Sequence, residues 1–60
     1  MKIGDSKDIG GERYHLLKDG VNKAEAVRAV NWQRTGGSKA RIEKVKRGYY
    51  RVWVGGKLPR

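Results

Sequence analysis

Residues 39–54 read Lys39-Ala40-Arg41-Ile42-Glu43-Lys44-Val45-Lys46-Arg47-Gly48-Tyr49-Tyr50-Arg51-Val52-Trp53-Val54. Two runs carrying branched and aromatic residues flank Lys46-Arg47-Gly48, the signature of a β-hairpin whose three-residue loop ends on a left-handed glycine. That loop sets the register. Val45 is expected opposite Tyr49, Lys44 opposite Tyr50, Glu43 opposite Arg51, Ile42 opposite Val52, Arg41 opposite Trp53 and Ala40 opposite Val54. Because strand side chains alternate, Ala40, Ile42, Tyr50, Val52 and Val54 share one face, and Arg41, Glu43, Val45, Tyr49, Arg51 and Trp53 share the other.

The apolar face needs a cover, and the preceding segment supplies one. Asn22 followed three residues later by Glu25 is a capping box, so a helix is expected over 23–35. Ala26, Ala29, Val30 and Gln33 recur at three-and-four spacing on its inward side, with Val27 at the edge and Trp32 off the stripe on the helix flank. Gly36-Gly37 supply the left-handed glycine that ends a helix, which is also the reading of Gly36-Gly37-Ser38-Lys39 preferred over a phosphate loop. Upstream, Arg13-Tyr14-His15-Leu16-Leu17 reads as a first strand closed by a turn at Asp19-Gly20, with Tyr14/Leu16 and His15/Leu17 both plausible inward pairs. Residues 1–11 are rich in Gly, Asp and Ser and read as a flexible arm. The chain thus divides into an arm (1–11), a βαββ domain (12–56) and a basic tail (57–60). The fold class is α+β, one helix on a three-stranded, mainly antiparallel sheet. The edge beside the first strand is left open for a homodimer to complete.

Sixty residues make one domain with a thin core and no room for a deep catalytic cleft. The absence of cysteine removes disulfides, thiolate chemistry and the usual structural zinc sites. His15, the only histidine, lies in a strand without catalytic partners. Asp5, Asp8, Glu12 and Asp19 lack the spacing of a calcium loop and are expected to be solvated. Neither enzyme activity nor a cofactor or metal is expected. No apolar stretch approaches a membrane span and the first residues do not form a signal peptide, which points to a soluble cytoplasmic protein.

Charge is distributed unevenly. Residues 34–60 hold nine basic side chains against Glu43 alone, net +8, whereas residues 1–33 are net +1. A polyanion is the partner such a field attracts.

Arg47-Gly48-Tyr49-Tyr50-Arg51-Val52-Trp53-Val54 resembles the RNP1 stretch of the RNA-recognition motif, in which a basic residue, a glycine and an aromatic open the third strand. Arg47, Gly48, Tyr49 and Val52 fit that pattern, while Tyr50, Arg51 and Val54 depart from it, so the resemblance carries over Tyr49 as a stacking ring. Over about residues 13–55 the order of strand, alanine-bearing helix, glycine, Lys39–Val45 and Tyr49–Gly55 also looks like the first half of a SPOR repeat. That resemblance implies a βαββ(αβ) layout and a peptidoglycan-strand ligand.

The expected function is nucleic-acid binding by a sheet face on which rings stack on bases and cations hold phosphates, with single strands favoured over duplex. Tyr49 and Trp53 would stack. Arg41, Lys44, Lys46, Arg47 and Arg51 would contact phosphates or bases, with Lys39, Lys57 and Arg60 extending the attraction. Insertion of the hairpin into duplex DNA is a variant. The alternative from another class is an interaction or inhibitor module that docks on an acidic protein through its sheet edge or basic patch, and a SPOR-like glycan binder ranks third.

Overall fold

The computed structural model describes residues 2–57, excluding the side chain of Lys57, so Arg60 and the tail beyond Lys57 lie outside the described residues. The elements are β1 (Ser6–Ile9), β2 (Glu12–Val21), α1 (Lys23–Thr35), β3 (Ser38–Lys46) and β4 (Tyr49–Lys57). One antiparallel sheet runs in the order β1-β2-β4-β3. The class is α+β, as expected, but the sheet has four strands rather than three.

The fourth strand comes from the segment read as an arm. Gly10 and Gly11 both adopt positive φ, +59° and +84°, the pair of left-handed residues that a tight hairpin turn requires. They fold Ser6–Ile9 back on Glu12–His15. The edge that was left for a second subunit is therefore closed by the chain itself.

Local signals set α1. Asn22 is the N-cap, its side chain accepting the Glu25 N–H at 2.8 Å, and Gly37 takes φ +86° just past the C-terminus. Ala26 and Val30 are buried against Ala40 and Val52, with Leu17, Val21, Ala29 and Tyr50 packed around them.

The β3–β4 hairpin has the expected register from Ala40↔Val54 through Lys44↔Tyr50, and Gly48 is left-handed at φ +80°. Near the turn, the pairing shifts so that Lys46 rather than Val45 opposes Tyr49. Val45 is the extra residue of a bulge, which absorbs the added twist of a tight loop. β2 does not turn at Asp19-Gly20 as read from sequence. Instead, its pairing with β4 slips between Leu16 and Lys18 and again between Lys18 and Val21, with Gly20 at φ +69°. Tyr14 and Leu16 face away from the helix and Leu17 faces toward it, so each of the two alternative inward pairs is partly realised on a different face.

Candidate nucleic-acid interface

The face away from the helix forms a second core. Trp53 is 0% exposed and packs with Tyr14 and Leu16, with Ile9 against them. β1 and β3 are opposite edges of the sheet, separated in a flat sheet by three strand spacings, about 14 Å. Lys7 Nζ of β1 nevertheless lies 3.0 Å from Glu43 Oε2 of β3, and the Arg41 guanidinium lies 5.8 Å from the Tyr14 ring centroid. Side chains of the two edge strands thus meet over Trp53, across a sheet with the right-handed twist that all strands carry.

The roof over Trp53 is polar and internally paired. Its indole Nε1–H donates to Glu43 Oε1 at 3.1 Å, and Lys7 Nζ stands 4.3 Å from the ring centroid. Arg51 donates to Asp19 Oδ1 at 2.8 Å and lies 3.9 Å from Glu43 Oε1. The hydrogen bond from Lys7 holds the Glu43 carboxyl below its ordinary value; the Trp53 hydrogen bond and the charges of Lys7 and Arg51 act in the same direction, against a smaller opposing effect of burial.

The remaining carboxylates are also occupied. Lys39 pairs with Glu12, Lys18 with Glu25 at 3.4 Å, Arg13 with Asp8 at 3.9 Å, and Asp5 accepts the Lys2 N–H at 2.8 Å. Of the four acids expected to be solvated, Asp5 and Asp8 are exposed, whereas Glu12 and Asp19 are half-buried and each hold a defined donor.

This sorts the expected interface residues into two sets. Trp53 is not a stacking surface: Tyr14, Leu16 and Ile9 pack around it and Lys7 and Glu43 cover it. Arg51 and Lys39 are present but neutralised by Asp19, Glu43 and Glu12. Arg41, Lys44, Lys46 and Arg47 are exposed and have no carboxylate partner among the described residues. They lie on β3 and its turn; Tyr49, opposite Lys46, is 48% exposed with Lys46 Nζ 4.7 Å from its ring centroid, and Arg41 lies farther along the strand, opposite Trp53. Arg41, opposite Trp53 in the register, lies over the Tyr14 ring, and it is Lys7 of β1 that stands over Trp53.

Sequence reasoning missed Lys7 and Asp19 as organisers of this face. The Gly10-Gly11 pair between Ser6–Ile9 and Glu12 is the signal that would have found β1 and with it Lys7. Among the described residues no cluster of His, Cys, Asp or Glu could hold a metal, and no helix is long and apolar enough to cross a membrane. No family model matches the chain, nor does any curated protein or solved structure.

Proposed function

We propose that this protein binds nucleic acid through the β3–β4 hairpin, holding the sugar–phosphate backbone with Arg41, Lys44, Lys46 and Arg47 and stacking one base on Tyr49. The observation that carries the reading is the concentration of cations without carboxylate partners on β3 and its turn, in a molecule whose carboxylates are engaged elsewhere. With a single exposed ring at the hairpin, phosphate contacts supply most of the affinity, so binding is tolerant of sequence and steeply salt-dependent.

A second reading, insertion of the hairpin into a duplex groove, is favoured by the burial of Trp53, which leaves less stacking surface for single strands. A two-stranded ribbon fits the major groove.

Titration of single-stranded RNA, single-stranded DNA and duplex DNA across a salt series tests both. Four phosphate contacts give a slope of log affinity against log salt of about −3 on single strands. Replacing Lys46 and Arg47 together by Gln should reduce that slope by about half. Tyr49→Ala should weaken single-strand binding by about 1–3 kcal/mol and leave duplex binding nearly unchanged. An unaltered slope in the double variant removes the hairpin from the interface.

A further inference from the structure

We infer that the groove between α1 and β2 is a docking site for an acidic amphipathic helix of a protein partner. A helix is about 10 Å wide, and four strands span about 14 Å between the axes of the outer two, so one helix cannot cover a four-stranded sheet. α1 packs chiefly on β3 and β4 and only lightly on β2. Beside it lies a groove of about 330 Å³ lined by Leu17, Lys18, Arg28, Ala29, Trp32 and Gln33.

Trp32 is 76% exposed at the wall of this groove. An indole left so open beside an apolar floor is the kind of anchor surface that protein interfaces bury. The floor is Leu17 and Ala29, both half-buried.

The form of the occupant follows from the strand beneath it. β1 covers β2 only as far as Leu16, but the groove lies on the helix side of the sheet, and the backbone groups of β2 point within the sheet plane, toward β4 and β1, rather than up into it. A segment lying here must satisfy its own backbone groups, which a helix does. Its charge follows from the rim. Arg28 has no carboxylate partner among the described residues, and Lys18 is held only by Glu25 at 3.4 Å. The whole chain is net +9. Apolar residues on one face and carboxylates along its flank match these features.

A second copy fits badly, because its α1 would bring Lys23, Arg28 and Arg34 toward the same rim while its Glu25 is already engaged. Nucleic acid fits the rim but not the floor, which offers no hydrogen-bond donor from Leu17 or Ala29.

The test uses a designed helical peptide of about four turns with leucines along one face and glutamates on the flanks, and a twin with lysines in place of the glutamates. Tryptophan emission of the intact protein and backbone amide shifts report binding. The glutamate peptide should shift Trp32 emission to the blue, perturb amides of α1 and β2, and bind about tenfold more weakly to Trp32→Ala and to Arg28→Glu. Both variants change exposed side chains, and circular dichroism verifies their folding. Oligonucleotide affinity measured on Trp32→Ala should match the parent, which keeps this inference separable from the hairpin reading. Equal affinity for the lysine twin, an unchanged affinity in Trp32→Ala, absence of binding, or amide shifts confined to the β3–β4 hairpin would each overturn it. So would a loss of oligonucleotide binding in Trp32→Ala, which would assign the surface to nucleic acid.

Discussion

The face of the sheet around Trp53 and the tip of the β3–β4 hairpin are built from the same materials, cationic side chains set beside aromatic rings. Over Trp53, Lys7 and Arg51 meet Glu43 and Asp19. At the hairpin, Lys46 lies over Tyr49 and has no carboxylate within reach among the described residues, as is also true of Lys44 and Arg47. The difference teaches that an aromatic residue among arginines and lysines has no fixed meaning in a sequence. Where counter-charges converge on it, the cluster closes into a core; where they do not, ring and cations stay available to a ligand.

The sharpest way to break this contrast is to remove each ring. Trp53→Ala deletes a fully buried indole and should cost about 3–5 kcal/mol, a large share of the stability of so small a domain. Tyr49→Ala removes a half-exposed ring and should stay within about 0.5 kcal/mol of the parent. Urea denaturation followed by circular dichroism measures both. A Trp53→Ala protein as stable as the parent would mean that the face around Trp53 is a surface after all.

A second substitution sharpens the account of how that core closes. Gly55 sits across from Tyr14 on β4, and a Cβ there would lie 2.7 Å from Tyr14 Cε2. Gly55→Ala must push the ring off its bed, at a cost of about 1–3 kcal/mol. If the clash is the cause, the cost should largely disappear when Gly55→Ala is introduced into a Tyr14→Ala background, which a double-mutant cycle reads directly. A full cost retained in that background would place the effect in the β4 backbone instead.

The features that were legible in the sequence are those decided within a few residues. Asn22 and Glu25 mark the start of α1, Gly37 its end, and Gly48 the hairpin turn, because caps and turns answer to local backbone chemistry. The strand alternation from Ala40 to Lys44 correctly set which residues of β3 and β4 lie opposite one another, but not that the face of Trp53 is itself a core. The exposure of Lys46, Arg47 and Tyr49 follows from their place at the turn. The illegible part is long-range. Whether Trp53 is open or covered depends on Lys7, 46 positions earlier, meeting Glu43 over the ring; Asp19 reaches Arg51 across 32 positions. Composition favours a loose arm at residues 6–9, and tertiary pairing with β2 overrides it. The bulge at Val45 is likewise invisible to a rule of strict alternation, since one inserted residue leaves the pattern intact on either side.

The smallest expected effect tests whether the roof over Trp53 is held by charge. Glu43 has its carboxyl held below the ordinary glutamate value, first by the hydrogen bond from Lys7. A carboxylate whose pKa is lower in the folded than in the unfolded chain binds protons less readily when folded. Its contribution is therefore full above the ordinary glutamate value and is lost as pH falls through the depressed folded value. Because the pair is partly solvated, the contribution at neutral pH should be below about 1 kcal/mol. The gap in thermal midpoint between the parent and Glu43→Gln should be constant near neutrality and close progressively below about pH 4, and added salt should narrow it. A gap that persists unchanged to pH 3 would show that the Trp53 hydrogen bond and packing, rather than the ionised carboxylate, keep β1 and β3 together over the indole.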